Sequence, residues 1–553
     1  METKLIGLNS KLPRKVNKEV VMKTLKLLTM LFFLSIFSIL MANCTPQIIG
    51  SMENASTVGQ SSSTSSSATN TSTPSPTPIP LNFSPTSGYV GSVLTLSGMD
   101  FTSVTGVTIG GTSATIVNHS SSSMMVMVMP GTSSGSIVAT TSSGSQTFQG
   151  SYSVNATGLP INQQGSKLVG TGLSGTPIQG YGVAISADGN TVAVGAPGVV
   201  YSGVNTGAVW VFTRNGSTWT QQGSTPLVGT GYTFTGSGLE QGYSVAISAD
   251  GNTILTGSYW DNNCTGASYV FTRNGSTWSQ QGAKLIGSGG SAGTCQGNAV
   301  SLSADGNTAL IGGSRNNSNL GAAWVFNRTG STWTQHGNKL VGSDYIGNSF
   351  IGSSVAMSAD GKTALVGGLA DNAGIGASWV FALNGSTWAQ QGPKLLGSGN
   401  SGTSSQGASV AISADGNAAV IGGDGDNSTE GAIWIFNRSG TTWSQTGGKI
   451  TESGAPGGAP EFGSSVAISA DGTVAIAGGL YTWVNSGNST AEGAAWVFKY
   501  STGSWSQQAM IRPSGYSGNT MFGISAAITP DAITSIYGGD QDSPKGASWI
   551  FTQ

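Results

Sequence analysis

The sequence predicts an all-β protein whose larger part is a seven-bladed β-propeller, closed by a blade that the two ends of the chain share. Two observations predict it. First, a Ser-Ala-Asp-Gly phrase recurs with its acid at Asp188, Asp250, Asp305, Asp360, Asp415 and Asp471, and a degenerate Thr-Pro-Asp at Asp531 makes a seventh copy. Each copy continues to Gly-Ala-x-aromatic-(Val/Ile)-Phe, beginning at Gly207, Gly266, Gly321, Gly376, Gly431, Gly493 and Gly546. The central acids are 55 residues apart three times running, and a fixed period of that length marks a repeat architecture. Second, six copies finish with a strand such as Trp-Thr-Gln-His-Gly-Asn-Lys-Leu at residues 333–340, and the sequence reaches Gln553 before a seventh. The missing piece stands ahead of copy one, as Ile-Asn-Gln-Gln-Gly-Ser-Lys-Leu at residues 161–168. A terminal strand supplied from the other end of the chain is how a circle of blades closes, in contrast to an open solenoid.

Taken in order, the chain begins with an export signal, residues 1–43. Lys4, Lys11, Arg14, Lys15, Lys18, Lys23 and Lys26 precede an apolar run from Leu27 to Ala42. That run is short for a membrane span, so a cleaved signal is expected, with translation starting at Met1 or at Met22. Leu-Met-Ala-Asn-Cys at residues 40–44 resembles the lipobox of bacterial lipoproteins, which implies lipidation of Cys44. Asn43 departs from the small residue usual there, and the alternative is a secreted protein in which Cys44 has no special role. Residues 44–80 are rich in Ser, Thr and Pro, with too little apolar surface to fold, and read as a solvated tether.

Residues 81–155 alternate like strands between Gly turns. Phe-Ser-Pro-Thr-Ser-Gly at 83–88, Gly-Ser-Val-Leu-Thr-Leu-Ser-Gly at 91–98, Phe101 and Val-Thr-Ile-Gly-Gly at 107–111 resemble an immunoglobulin-like IPT/TIG domain. Met-Val-Met-Val-Met-Pro at 125–130 and Gly-Ser-Ile-Val-Ala-Thr at 135–140 fit that family's last strands. The resemblance implies a β-sandwich, used in bacterial surface proteins as a spacer or stalk.

Residues 156–553 hold the repeats. In copy four, residues 353–358, 363–368, 377–381 and 387–391 read as four strands, with Asp360-Gly361 and Asn384-Gly385 at the first and third turns. Both dipeptides suit tight hairpins. Because strands alternate direction, the short turns lie on one face, and the longer second loops and the inter-blade links on the other. Tyr181-Gly182 and Val-Gly-Ala-Pro at 194–197 resemble FG-GAP repeats, the blade type of integrin-α propellers; the Phe381 to Trp388 offset also fits kelch blades. Either resemblance implies the same fold.

Charge excludes one class of partner. Only 8% of residues are charged, and from Leu27 onward acids exceed bases by about 7, which offers no basic patch for nucleic acid. The resemblance to FG-GAP blades implies calcium in the first turns. Each such turn here carries one carboxylate, whereas the ion takes six or more oxygens, so no cofactor is expected and these acids read as turn formers. Asp261, Asp371, Asp424, Asp426, Asp540 and Asp542 lie in the longer loops; the alternating pairs Asp424/Asp426 and Asp540/Asp542 are weak cation candidates beside a loop-capping reading. Catalysis has little support. Of two histidines, His336 replaces Gln in a repeat phrase and His119 lies in the sandwich, and no nucleophile has a base in sight. Cys264 and Cys295 fall on the long-loop face and are placed to pair in an oxidising compartment.

Twelve of 14 tryptophans occupy repeat positions and read as core, while Trp260 and Trp483 do not. Both fall in second loops, beside or near Tyr259 and Tyr481, and Tyr201, Tyr232, Phe234, Tyr345 and Tyr516 share that face. Aromatics there read either as a recognition surface or as local cover for blade edges. The expectation is an exported, lipid-anchored bacterial surface protein, touching the membrane only through that anchor, whose propeller recognises a protein or glycan. A secreted carbohydrate-active enzyme and a purely structural envelope component are the alternatives.

Overall fold

The computed structural model describes residues 80–172, 174–236, 238–455, 459–482 and 491–553. The export signal, Cys44, all but the end of the Ser/Thr/Pro tether and Trp483 lie outside them. The described chain is all-β, and none of its helices is long and apolar enough to cross a membrane.

Two four-stranded sheets come first. One has the order Asn82–Ser84, Val93–Ser97, Ser123–Met127, Thr115–His119, the other Thr112–Ser113, Val104–Ile109, Ile137–Thr141, Gly144–Thr147. Alternating residues (Leu94, Leu96, Ile109, Val126, Ile137) pack between them with Phe101 and Phe148, the pattern of a sandwich with one buried face per sheet.

Seven four-stranded antiparallel sheets follow. Sheet one is Val183–Ile185, Thr191–Ala196, Ala208–Asn215 and Thr218–Gln221. Sheets two to six repeat the plan, with third strands Ala267–Asn274, Ala322–Thr329, Ala377–Asn384, Ala432–Ser439 and Ala494–Ser501. Sheet seven is Ser525–Ile528, Thr534–Gly539 and Ala547–Thr552, and its fourth strand is Asn162–Gln163, paired with Phe551 and Thr552. Leu168 bonds back to Ser548 in the same way that Leu285 bonds to Ser268 and Leu395 to Ser378. Each first strand lies beside the first strand of the next sheet, and that of sheet seven lies beside that of sheet one.

Side chains repeat this order. On the third strands Trp210, Trp324, Trp379, Trp434, Trp496 and Trp549 are fully buried. The fourth-strand tryptophans pack against the core clusters but are only half-buried, and in four sheets an arginine of the third strand lies over the indole, as Arg328 does over Trp333 at 5.4 Å. The Nε1–H of Trp278, Trp333 and Trp443 donates to Gln222, Gln281 and Gln391 of the preceding sheet. Trp219 of sheet one takes Gln164, which follows the outer strand of sheet seven. Where the preceding phrase carries His336 or Thr446 instead, Trp388 and Trp505 have no partner for Nε1.

The Ser-Ala-Asp-Gly turns are not two-residue hairpins. In copy four the Ser358 amide donates to the Thr363 carbonyl around a four-residue loop, Asp360 accepts from Ser358 Oγ and the Lys362 amide, and Ser358 Oγ accepts from the Thr363 amide. The acid is consumed by its own Asx turn. The third turn is a two-residue one, Gly385-Ser386, with Gly385 at φ 61°.

Around the axis, the alanine amide of each turn donates to the next: Ala187 to Ala249, then Ala304, Ala359, Ala414, Ala470 and Pro530. Pro530 has no N–H to pass on. The sandwich sits on this face. Val117 and Met127 are buried against Ala187, Ala249 and Ala304, with Met125 and Met129 packed alongside, and Asn118 bonds Asp250 while Ser92 bonds Asp531.

Candidate functional site

The sandwich covers part of the short-turn face, and the other face carries the second loops and the links. A cavity of two chambers lies among the seven first strands. Its inner chamber, about 170 Å³, is floored by Met127 and the turn alanines; its outer chamber, about 260 Å³, is lined by the first strands of all seven sheets. The two share a collar of Ile185, Ile247, Leu302, Met357, Ile412, Ile468 and Ile528.

Each first strand begins after a Gly that abuts the end of the previous sheet's second strand. A Cβ on Gly180 would lie 3.0 Å from the Gly539 amide, which sets Tyr181 beside Asp540. A Cβ on Gly242, just ahead of Tyr243, would lie 2.6 Å from the Ala196 amide. The result is an aromatic row. Tyr181 and Tyr243 have centroids 4.6 Å apart, Tyr243 and Tyr259 4.4 Å, Tyr259 and Trp260 5.6 Å. All four are half-buried. At the Tyr181/Tyr243 position the other sheets have Asn298, Ser353, Ala408, Ser464 and Ile524, so the row has no counterpart in the repeat. Burial holds the Glu240 carboxyl, close to Tyr259 in the chain's fold, above its usual range.

Of the residues singled out in the sequence, the structure thus joins Tyr259 and Trp260, and adds Tyr181 and Tyr243, which sequence reasoning passed over as repeat residues. Tyr201 and Tyr345 stand exposed and apart, as does Phe234; Tyr232 and Tyr481 are half-buried. Tyr516 donates to Glu492. Cys264 and Cys295 are joined in a disulfide, Cα atoms 4.4 Å apart, tying the second loop of sheet two to the following link.

The loop acids divide into two kinds. Asp261, Asp371, Asp426 and Asp542 are buried clasps: each accepts a link amide (Thr233, Ile346, Ser401, Ser517) and pairs with a lysine (Lys284, Lys394, Lys449, Lys167). Asp426 and Asp542 therefore already hold a cation from their own chain. For three of the four the signal was in the sequence, since the loops bearing Asp261, Asp371 and Asp426 are followed 23 residues on by the Lys, whereas Lys167 stands ahead of sheet one. Each clasp in sheets two, four and five precedes a left-handed turn of consecutive non-glycine residues, such as Asn262 and Asn263 at φ 51° and 53°. Such backbone costs about 1–2 kcal/mol per residue and stays only where the surroundings enforce it.

Asp424 and Asp540 differ. Neither has a lysine, burial raises both carboxyls, and that of Asp540 is pushed up to about 6. Asp540 is 7% exposed and its Oδ1 has no hydrogen-bond partner. Among the described residues no group of three or more His, Cys, Asp or Glu comes together as a metal site.

No curated protein matches the chain. Among solved structures, hydrazine synthase of Kuenenia stuttgartiensis is similar at 11% identity and TM-score 0.43, covering 70% of this chain and 97% of its own. An auxiliary nutrient binding protein from Bacteroides thetaiotaomicron is similar at 10% identity and TM-score 0.36, covering 86% of this chain and 98% of its own. Likenesses at that level carry no argument about fold or function. The family comparison is informative for one segment, and with its two facing sheets it identifies residues 78–157 as an IPT/TIG domain.

Proposed function

We propose that the seven sheets are the blades of a closed seven-bladed β-propeller of FG-GAP type. In this reading the protein is exported and anchored by lipid at Cys44, and presents the long-loop face to a protein or glycan ligand. The observation that carries the recognition role is the aromatic row from Tyr181 to Trp260, built at positions that small or polar residues fill in most other copies. Large rings kept half-exposed without a repeated packing duty are effective recognition groups. The cyclic order of first strands and the Trp219–Gln164 bond support closure.

The test is a binding screen of the purified chain against glycans and extracellular matrix proteins, repeated with Trp260→Ala. A ligand lost by this variant, whose melting temperature stays near the parent's, supports the reading. Trp324→Ala, in the core, is expected to cost about 3–5 kcal/mol. If Trp260→Ala costs as much stability as Trp324→Ala, or retains every ligand, the recognition face is elsewhere.

A further inference from the structure

We infer that the row Tyr181–Tyr243–Tyr259–Trp260 on the long-loop face is a binding site for an alkylammonium group, with the carboxylates of Asp540 and Glu240 as its counter-charges. This rests on the recognition reading above and names its ligand chemistry.

The argument starts from a contrast within one loop. Asp542 and Asp540 are two residues apart, and both are buried. Asp542 has its positive charge supplied by Lys167, and its other oxygen accepts the Ser517 amide. Asp540 takes part in none of the ion pairs among the described residues, and its Oδ1 accepts nothing. A carboxylate withdrawn from water without a cation is costly, and four homologous positions show that this fold supplies one where the acid is structural. At Asp540 the charge is left open, beside Tyr181.

The second carboxylate, Glu240, stands near Tyr259 of the same row, enters none of the ion pairs among the described residues, and is raised by burial. Between them lie aromatic faces, whose negative quadrupole attracts a cation and does nothing for an anion. Tyr181 and Trp260 end the row, so each has one face free of a neighbour in it. A neutral sugar satisfies hydroxyl partners but leaves the Asp540 charge uncompensated; an ammonium on a flexible stem compensates it and lays its methylenes along the rings. The donor of the ammonium is either a free amine or a lysine side chain of a partner protein, and the chemistry is shared.

The experiment uses the full chain and isothermal titration calorimetry with three probes: n-butylammonium, a lysine-containing pentapeptide, and the same peptide with the lysine acetylated. Saturable binding of the first two, absent for the acetylated peptide and at least tenfold weaker in Asp540→Asn, is the result expected. Binding of butylammonium as tight as the peptide assigns the free amine as ligand; peptide at least tenfold tighter assigns a protein side chain. Glu240→Gln gives a second variant, expected to weaken binding severalfold. Equal binding of the acetylated peptide, or no change in either variant, overturns the inference. Should no amine bind while Trp260→Ala still loses a ligand from the screen, the ammonium site is refuted and the recognition face survives; if neither is seen, both fall.

Discussion

If sheet seven is completed by residues from before the repeats, its outer contacts must contribute as much as those of a sheet made from continuous chain. Leu168 and Leu395 allow a direct comparison. Both are the last residue of the Lys-Leu phrase, both bond to the third strand, and they are 6% and 4% exposed. Leu168 packs with Val194, Trp210 and Ile550; Leu395 with Val410, Ile421 and Trp434. Truncation to alanine removes a buried isobutyl group and leaves a cavity beside an indole, which costs about 2–5 kcal/mol in well-packed cores. With near-equal burial, Leu168→Ala and Leu395→Ala are each expected to cost about 3 kcal/mol and to agree within about 1 kcal/mol. The assay is urea unfolding of the parent and both variants, followed by tryptophan fluorescence, because Trp210 and Trp434 sit against the two sites. A Leu168→Ala cost below about 0.5 kcal/mol beside a full cost at Leu395 would show that the fourth strand is not an integral part of sheet seven.

Two further outcomes follow from the structure. Asp540 has a folded carboxyl raised to about 6 from 3.8, so the folded state binds this proton more tightly than the unfolded one. Its contribution is favourable below about pH 4 and is lost as pH rises through 6, a difference of about 3 kcal/mol at full extent. Asp540→Asn should therefore stabilise the chain at pH 7.5 and give almost no gain at pH 4, read from urea midpoints; a gain independent of pH would exclude this origin. Met127 is 2% exposed against the turn alanines. Met127→Asp places a charge there at a cost of at least about 3 kcal/mol and is expected to loosen the IPT/TIG domain from its seat, seen as new protease cleavage near residue 160; an unchanged digest would refute the packing.

Much of this architecture was legible because the repeat is a covariance experiment inside one chain. Thr363–Gly368 as the second strand of copy four and the outer-strand role of residues 161–168 could be read from phrase order alone. The position of the IPT/TIG domain could not. Strand periodicity tells which face of a sheet is buried, but not which two finished surfaces meet. A signal existed in the alanines that precede each turn acid, apolar where a solvent-facing turn has no need of them, and in the alternating Met125, Met127 and Met129 that match them. The expected stalk is thus seated on the body it was supposed to hold at a distance. The aromatic row was half visible: Tyr259 and Trp260 stand out as departures from the repeat, whereas Tyr181 and Tyr243 were hidden by sitting in a phrase that varies freely. The split among the loop acids depended on lysines about 23 residues downstream, a separation that only sheet register converts into contact.

The pairing of Asn162 with Thr552 has a mechanical side. The two strands meet with their chain-end sides together, so tension between residue 161 and residue 553 peels them one pair at a time, the weakest way to load a sheet. The IPT/TIG domain stands across that path. Tyr89 bonds the Gln553 side chain, Ser92 bonds Asp531, and Thr157 bonds Asp471, so a pull arriving through the domain is spread over the turns of sheets six and seven before it reaches the seam. A pull entering from the N-terminal side would in this way pass through the broad seat, with the two-residue pairing of Asn162 and Gln163 held out of its line.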